Sequence, residues 1–385
     1  MRVLHVIAAA RQGGAEQLLW LIGRELHRRG IHVTVLFFDD GPLRPRFEDA
    51  GLTCDVLPGV GRFRPTTFAS IRATLRALDP SVVHVHGLRA LFHVAPIARR
   101  QRYPVVYSAH SVSSVKDVEY GALGPAYRMF EGLLCRWFIS AVVVTSSRMR
   151  DDLVARSAVP RSLLRVIPPC IDLERLPCVT AQSREEARRR FNVSGHVVAM
   201  IGRLIPPKGH AVMVRALMDL PASTLVIAGD GPERERLSDA AAALGVKSRV
   251  RFLGETGDVA AVCHASDVVV YPSTEGIIGL AALEAMACGV PVIAADQPGA
   301  TEFIESGTTG ILVTPRDSEG LAREVAALVA DPARASVLAN AGSLAARARY
   351  SPSAAAALHL SLYEALTAGS TRQAPSAPAP SGSDT

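Results

Sequence analysis

The chain has 385 residues, 49% hydrophobic and 20% charged, which is enough for a large core and long for one domain, so two domains are expected. Its six cysteines (Cys54, Cys135, Cys170, Cys178, Cys263, Cys288) form no CxxC pair and have no histidines at metal spacing, which argues against a disulfide frame or a zinc site and for a reducing compartment. Residues 1–168 carry 23 Lys+Arg against 13 Asp+Glu, net +10, while 169–385 carry 19 against 23, net −4. The first half either faces something anionic, such as lipid headgroups or nucleic acid, or reflects an arginine-rich composition, since only three of the 42 cations are lysines.

MRVLHVIAAARQGG opens the chain with an apolar run of only about eight residues, short for a secretory signal, and reads as a first strand in a cytoplasmic protein. A helix over about 15–29 follows, then HVTVLFF (32–38), a helix near 66–78, VVHVH (82–86), a helix near 89–101 and PVVYSAH (104–110). A helix over about 123–138, AVVVTS (141–146), a helix near 147–157 and LRVIPPCID complete the first series, and PPCIDLERLPC reads as a linker. The second series runs HVVAMIG (196–202), a helix from about 208, TLVIAGDG (224–231), a helix near 232–244, VRFLGE (250–255) and DVVVYPS (267–273). A helix over about 279–287, PVIAA, ILVTP (311–315) and a helix near 318–330 follow. Such alternation predicts an α/β fold of two doubly wound, Rossmann-like domains facing across a cleft, with function at the carboxyl ends of the strands.

The expected division is 1–170 as one domain, 171–195 as linker and 196–350 as the second domain. Residues 351–367 form a helix expected to cross back onto the first domain, and 368–385 a Pro/Ser/Ala-rich disordered tail. YPSTEGIIGLAALEAMACGVPVIAA, from Tyr271 to Ala295, is the most apolar long stretch, yet Glu284, Gly289 and Pro291 interrupt it, so it does not span a bilayer. It poses a question: why two carboxylates, Glu275 and Glu284, sit in it.

Gly13-Gly14 at the start of the first helix either offers backbone amides to an anion or makes a tight turn; the spacing does not fit GxGxxG. Arg203 and Lys208 in GRLIPPKGH lie just beyond a strand end, where paired cations can neutralise a diphosphate leaving group without a metal. Gly229 and Gly231 in AGDGPERERL form a turn that brings a helix start near the same place. Gly279 and Leu280 start the helix that follows Glu275, and its N-terminal partial positive charge suits phosphates. His84 and His86 alternate on a strand and are expected to be packed, with His86 the better cleft candidate.

GGAEQLLWLIGRELHRRGIHVTVL, GRLIPPKGH, IAGDGPERERL, VRFLGE and EGIIGLAALEAMACGVPVIAADQPGATEFIESGTTGILV together resemble the GT-B fold glycosyltransferases of family 4, over nearly the whole chain before the tail. The resemblance implies a retaining transferase, without metal or other cofactor, that takes a sugar from a nucleotide-diphosphate donor. It implies that Arg203 and Lys208 hold the diphosphate, that Glu284 contacts the ribose, that Glu275 lies against the donor sugar, and that His110 lies near sugar and acceptor. Glu302 resembles a family loop near the donor. Many relatives extend lipid-linked sugars, so a sugar, glycolipid or lipid-linked acceptor at an anionic inner membrane face is expected, with no role for nucleic acid. The family signature usually has seven residues between its glutamates and this chain has eight; nine steps on one helix turn about 900°, so Glu275 belongs to the preceding loop. A nucleotide-sugar epimerase or a non-catalytic relative is the alternative.

Overall fold

The computed structural model describes residues 1–11, 13–57, 65–110, 123–274 and 279–368. The chain divides into two compact units. The first contains residues Met1–Val144, Asp152–Arg165 and the chain from Ala356 on; the second contains Thr145–Asp151 and Val166–Ala355.

The strands of the first sheet are β1 (Arg2–Ala9), β2 (His32–Asp39), β3 (Thr53–Val56), β4 (Val82–His86), β5 (Val105–Ser108), β6 (Ala141–Val144) and β7 (Leu164–Val166). Their order is β3-β2-β1-β4-β5-β6-β7, with parallel pairing from β3 through β6. The second sheet holds β8 (His196–Ile201), β9 (Ser223–Ala228), β10 (Val250–Gly254), β11 (Val268–Tyr271), β12 (Val292–Ala295) and β13 (Ile311–Val313), all parallel in the order β10-β9-β8-β11-β12-β13. The chain therefore reverses its direction of winding between β1 and β4 and again between β8 and β11, the positions where doubly wound sheets open at their carboxyl ends.

Alternation along the second sheet explains its unbroken apolar strands. Val197, Ala199, Val226, Val269, Val292 and Ala294 join one core, whereas Val198, Met200, Leu225, Ile227, Val270 and Ile293 join the other. Helices cover both faces, so neither set can be polar. The helix Leu280–Ala287 contributes Ala282, Leu283, Ala285, Met286 and Ala287 to the first of these cores. That is why the stretch from Tyr271 to Ala295 is so apolar.

Five strands and helices go beyond the sequence expectation: the helices Arg44–Asp49 and Pro332–Arg349, and the three elements that follow. β3 is a four-residue edge strand carrying Asp55, too short and polar to show alternation. The stretch read as linker, 171–195, contains a helix, Ala181–Phe191, that belongs to the second unit. It is polar nearly all round, so periodicity misses it, but Thr180 and Ser183 form a reciprocal capping box that marked its start. Arg184 and Arg188 fix it by bonding Asp267 at 2.8 Å each. The helix Val259–Ala265 lies between two predicted strands and is only seven residues long, too short to show a period. From Ala356 on, the last helix, Pro352–Ala368, is part of the first unit, where Tyr363 Oη lies 2.6 Å from His84 Nδ1.

Candidate active site

In the second unit, the loops that leave β8, β9 and β11 are stitched together by their backbones. Gly202 N–H donates to the Ala228 carbonyl at 2.9 Å, Leu204 N–H to Asp230 O at 2.9 Å, Glu233 N–H to Leu204 O at 3.1 Å, and Thr274 N–H to Pro207 O at 2.9 Å. Glycine is required where these loops touch. A Cβ on Gly229 (φ +142°) would sit 2.0 Å from the Gly202 carbonyl oxygen, and one on Gly209 (φ +73°) 1.9 Å from that of Pro272. A Cβ on Gly231 would stand 2.5 Å from Leu204 O. Gly229 and Gly231 thus act by pressing one loop against another, which fixes the backbone on which Arg203 and Lys208 stand.

Lys208 Nζ lies 3.6 Å from the point a Cβ on Gly279 would occupy, at the N-terminus of the helix Leu280–Ala287. That helix has no side-chain cap and no acid in its first turn. Burial lowers the pKa of the Lys208 ammonium, and the nearby Arg203 guanidinium lowers it further. Neither cation has an ion-pair partner among the described residues. Two cations beside the positive end of a helix dipole repel one another, and an anion placed among them relieves that repulsion while bonding the free N–H groups. The chain reversal between β8 and β11 brings these three features together.

Glu284 sits within the same helix, mostly buried, and its carboxylate has no hydrogen-bond or ion-pair partner among the described residues. Burial first, and then Cys288, pushes its carboxyl up to about 7, against the pull of Arg175. A carboxyl so placed can accept a forked pair of hydroxyl donors and would gain from them. Leu280 opens the helix between the cations and Glu284, and Glu275 lies outside the described residues. Arg175 and Asp172, both acting on Glu284, come from the segment read as linker, which gave no signal of this. His210, directly after Gly209, is buried with Nδ1 unpartnered, and burial and Lys208 hold its pKa down to about 4. Glu302 has its oxygens occupied: they accept from Ser147 N–H at 2.9 Å and Arg148 N–H at 3.1 Å, capping the helix Ser147–Ser157.

In the first unit, Gly13 and Gly14 do start the helix Gly14–Arg28 after β1. The space beside Gly14 is open, while a Cβ on Gly13 would meet Glu16 Oε2 at 2.4 Å. A carboxyl therefore already occupies the Gly13 side of this helix start, and burial raises its pKa. His110 follows β5 and ends a chain of imidazoles: His110 Nε2 lies 3.1 Å from His86 Nδ1, and His86 Nε2 lies 2.9 Å from His5 Nδ1. His84 bonds Tyr363 Oη and, at 2.8 Å, Ser108 Oγ. Nitrogens of His5, His84 and His86 lie within 4.8 Å of one another, but both nitrogens of His84 and His86 are engaged, leaving His5 Nε2 as the unpartnered one. This is a hydrogen-bonded neutral network. The packed role expected for His84 and His86 agrees with their burial.

The network makes stability depend on pH. Burial holds the pKa of His5 to about 3 and that of His110 to about 4, and lowers those of His84 and His86 well below 6.5. Because the folded values are depressed, the unfolded chain binds more protons below pH 6.5, so the contribution is full above that pH and is lost as pH falls toward 4 and 3. Each such group contributes a slope of up to about 1.4 kcal/mol per pH unit in that window. The apparent Tm is expected to fall by about 5 to 10 °C between pH 7 and pH 5. A level Tm over that range would contradict burial of neutral imidazoles.

The family profile of Glycosyl transferases group 1 matches residues 182–344, and that of Glycosyltransferase Family 4 matches residues 12–175. D-inositol 3-phosphate glycosyltransferase of Salinispora tropica is 29% identical, over 89% of this chain and 79% of that protein. Its counterpart in Salinispora arenicola is 32% identical, over 81% of this chain and 73% of that protein. The crystal structure of Anabaena Alr3699/HepE in complex with UDP superposes with a TM-score of 0.83 at 25% identity, covering 95% of this chain and 100% of that one. The same protein with UDP-glucose gives a TM-score of 0.78 at 26% identity, covering 94% and 100%. Two parallel-sheet α/β units, the motif loops at the β8/β11 reversal and both profiles agree: the chain belongs to the family 4 glycosyltransferases of the GT-B fold.

Proposed function

We propose that this transferase takes a sugar from a nucleotide-diphosphate donor with retention of anomeric configuration and without a metal. The observation that carries the reading is the convergence of unpaired Arg203 and Lys208 with the uncapped helix start at Gly279. The diphosphate lies there, and its negative charge grows as the glycosidic bond breaks, so fixed cations stabilise the transition state more than the ground state. Glu284 holds the ribose hydroxyls, with Gly229 and Gly231 shaping the loop beneath. Glu275 faces the donor sugar, where positive charge develops at the anomeric carbon. His110 serves the sugar and acceptor side, and the Gly13-Gly14 helix start offers backbone amides to an anionic ligand group. The HepE complexes with UDP and UDP-glucose support a nucleotide-sugar donor.

The acceptor is a hydroxyl on a sugar, glycolipid or lipid-linked sugar used in cell-envelope polysaccharide, lipid-linked oligosaccharide or glycolipid synthesis, and the enzyme works at the inner face of the cytoplasmic membrane. Attachment is peripheral in this reading; no described helix is long and apolar enough to cross a membrane. Incubation with UDP, GDP and ADP sugars in a chelator tests it. Acceptor-dependent nucleotide release with a product of unchanged anomeric configuration is expected. Binding without release would favour a non-catalytic relative, and conversion of the donor sugar without release an epimerase. Glu275→Gln is expected to lower turnover while leaving nucleoside diphosphate affinity near wild type; no change in either assay would withdraw that residue from the sugar.

A further inference from the structure

The helix Gly124–Phe138 is packed inside out. Its buried residues are Gly124, Glu131, Gly132 and Cys135. Glu131, its only acid, is 0% exposed and accepts from Tyr107 Oη at 2.7 Å and Ser157 Oγ at 3.0 Å. Gly132 approaches the next helix so closely that a Cβ would stand 1.7 Å from Ser157 O. These two contacts fix the rotation of the helix, since turning it would strand a buried carboxyl and drive a side chain into backbone. What then faces outward is apolar: Leu123 at 62% exposure, Met129 at 63%, Phe130 at 48%, Leu133 at 49% and Trp137 at 65%. Among the described residues, Arg136 is the one charged residue of the helix exposed on that face. Leu123 and Phe130 continue into an apolar groove of about 620 Å³ walled also by Leu88, Phe92 and Leu134. Scattered single apolar residues on a surface need no explanation, but five on one fixed helix face, running into a groove, form a patch beyond what a free surface carries.

We infer that this face lies in the interface of an anionic bilayer, with Met129, Phe130, Leu133 and Trp137 at the level of the acyl chains and Arg136 among the headgroups. Charge decides between occupants. Among the described residues the helix puts no acid on this face because Glu131 is turned inward, its one exposed charge there is positive, and residues 1–168 as a whole carry net +10. A second copy would set positive against positive, whereas anionic lipid is complementary. A bulky apolar face with a tryptophan and basic residues is also what an interfacial helix needs. The inference rests on the proposed membrane-side acceptor and names the surface that would reach it.

Flotation of the full chain with phosphatidylglycerol–phosphatidylcholine vesicles, without donor or acceptor, tests it. Wild type is expected to float with these vesicles and not with pure phosphatidylcholine. The double substitution Leu133→Glu and Trp137→Glu is expected to lower the bound fraction about tenfold, and Arg136→Ala about fivefold. Both sites are solvent-facing, and an unchanged thermal transition in the same preparations confirms the fold. Wild type that stays in the soluble fraction, or a double variant that floats as well as wild type, overturns the inference. So does light scattering that finds a dimer which the double variant dissolves, since the face would then belong to a second copy. Nucleotide release from donor sugars in the absence of vesicles reports on the transferase reading separately, so either can fail without the other.

Discussion

Replacing Lys208 with alanine is expected to lower kcat/KM for the sugar donor by about 2 to 4 kcal/mol in transition-state terms, both by raising KM and by slowing turnover. The ammonium is largely withdrawn from water, and burial together with Arg203 already disfavours its charge in the free protein. A diphosphate reverses that balance, and the gain grows as the leaving group takes on charge. Removing the lysine therefore costs more in the transition state than in the bound donor. The helix N-terminus at Gly279 and the Arg203 guanidinium remain, which is why the loss is bounded. Steady-state kinetics with the preferred donor reads this directly. Unchanged kinetics would place Lys208 in a solvated loop, and the anion site with it.

Glu284→Gln is expected to weaken binding of the free nucleoside diphosphate by about 1.5 to 3 kcal/mol, the range for hydrogen bonds to a charged group. The ribose hydroxyls are present with or without the sugar, so the effect appears in product binding and not only in turnover. pH supplies a second readout. With burial holding the carboxyl near 7, Glu284 is protonated below that pH and a forked acceptor above it, so affinity rises between about pH 6 and pH 8. The diphosphate ionises in the same direction, but it does so in both proteins. The difference between the wild-type and Glu284→Gln titrations isolates the glutamate. Parallel curves in calorimetric titrations with uridine and guanosine diphosphate would remove Glu284 from the ribose.

By itself the sequence determined the class of fold and set the candidate cations beyond a strand end. Strands such as HVVAMI and STLVIA carry apolar residues on both faces because helices cover both, and that alternation with helical segments leaves few architectures other than two doubly wound sheets. Loops must follow strand ends, so the sequence alone sets Arg203 and Lys208 at a carboxyl edge. Only the tertiary structure decided what each polar group faces. It drew Lys208 to the helix start at Gly279, gave Glu302 to the cap of Ser147, and set Glu16 over the Gly13 end of the first helix. It also turned Glu131 and Gly132 inward, leaving Leu133 and Trp137 outside, an orientation that any rule burying the apolar face would reverse. Periodicity reports which residues share a face of a helix or strand. Which face is buried depends on partners far along the chain, here Tyr107 and Ser157 for Glu131, and local spacing carries no record of them.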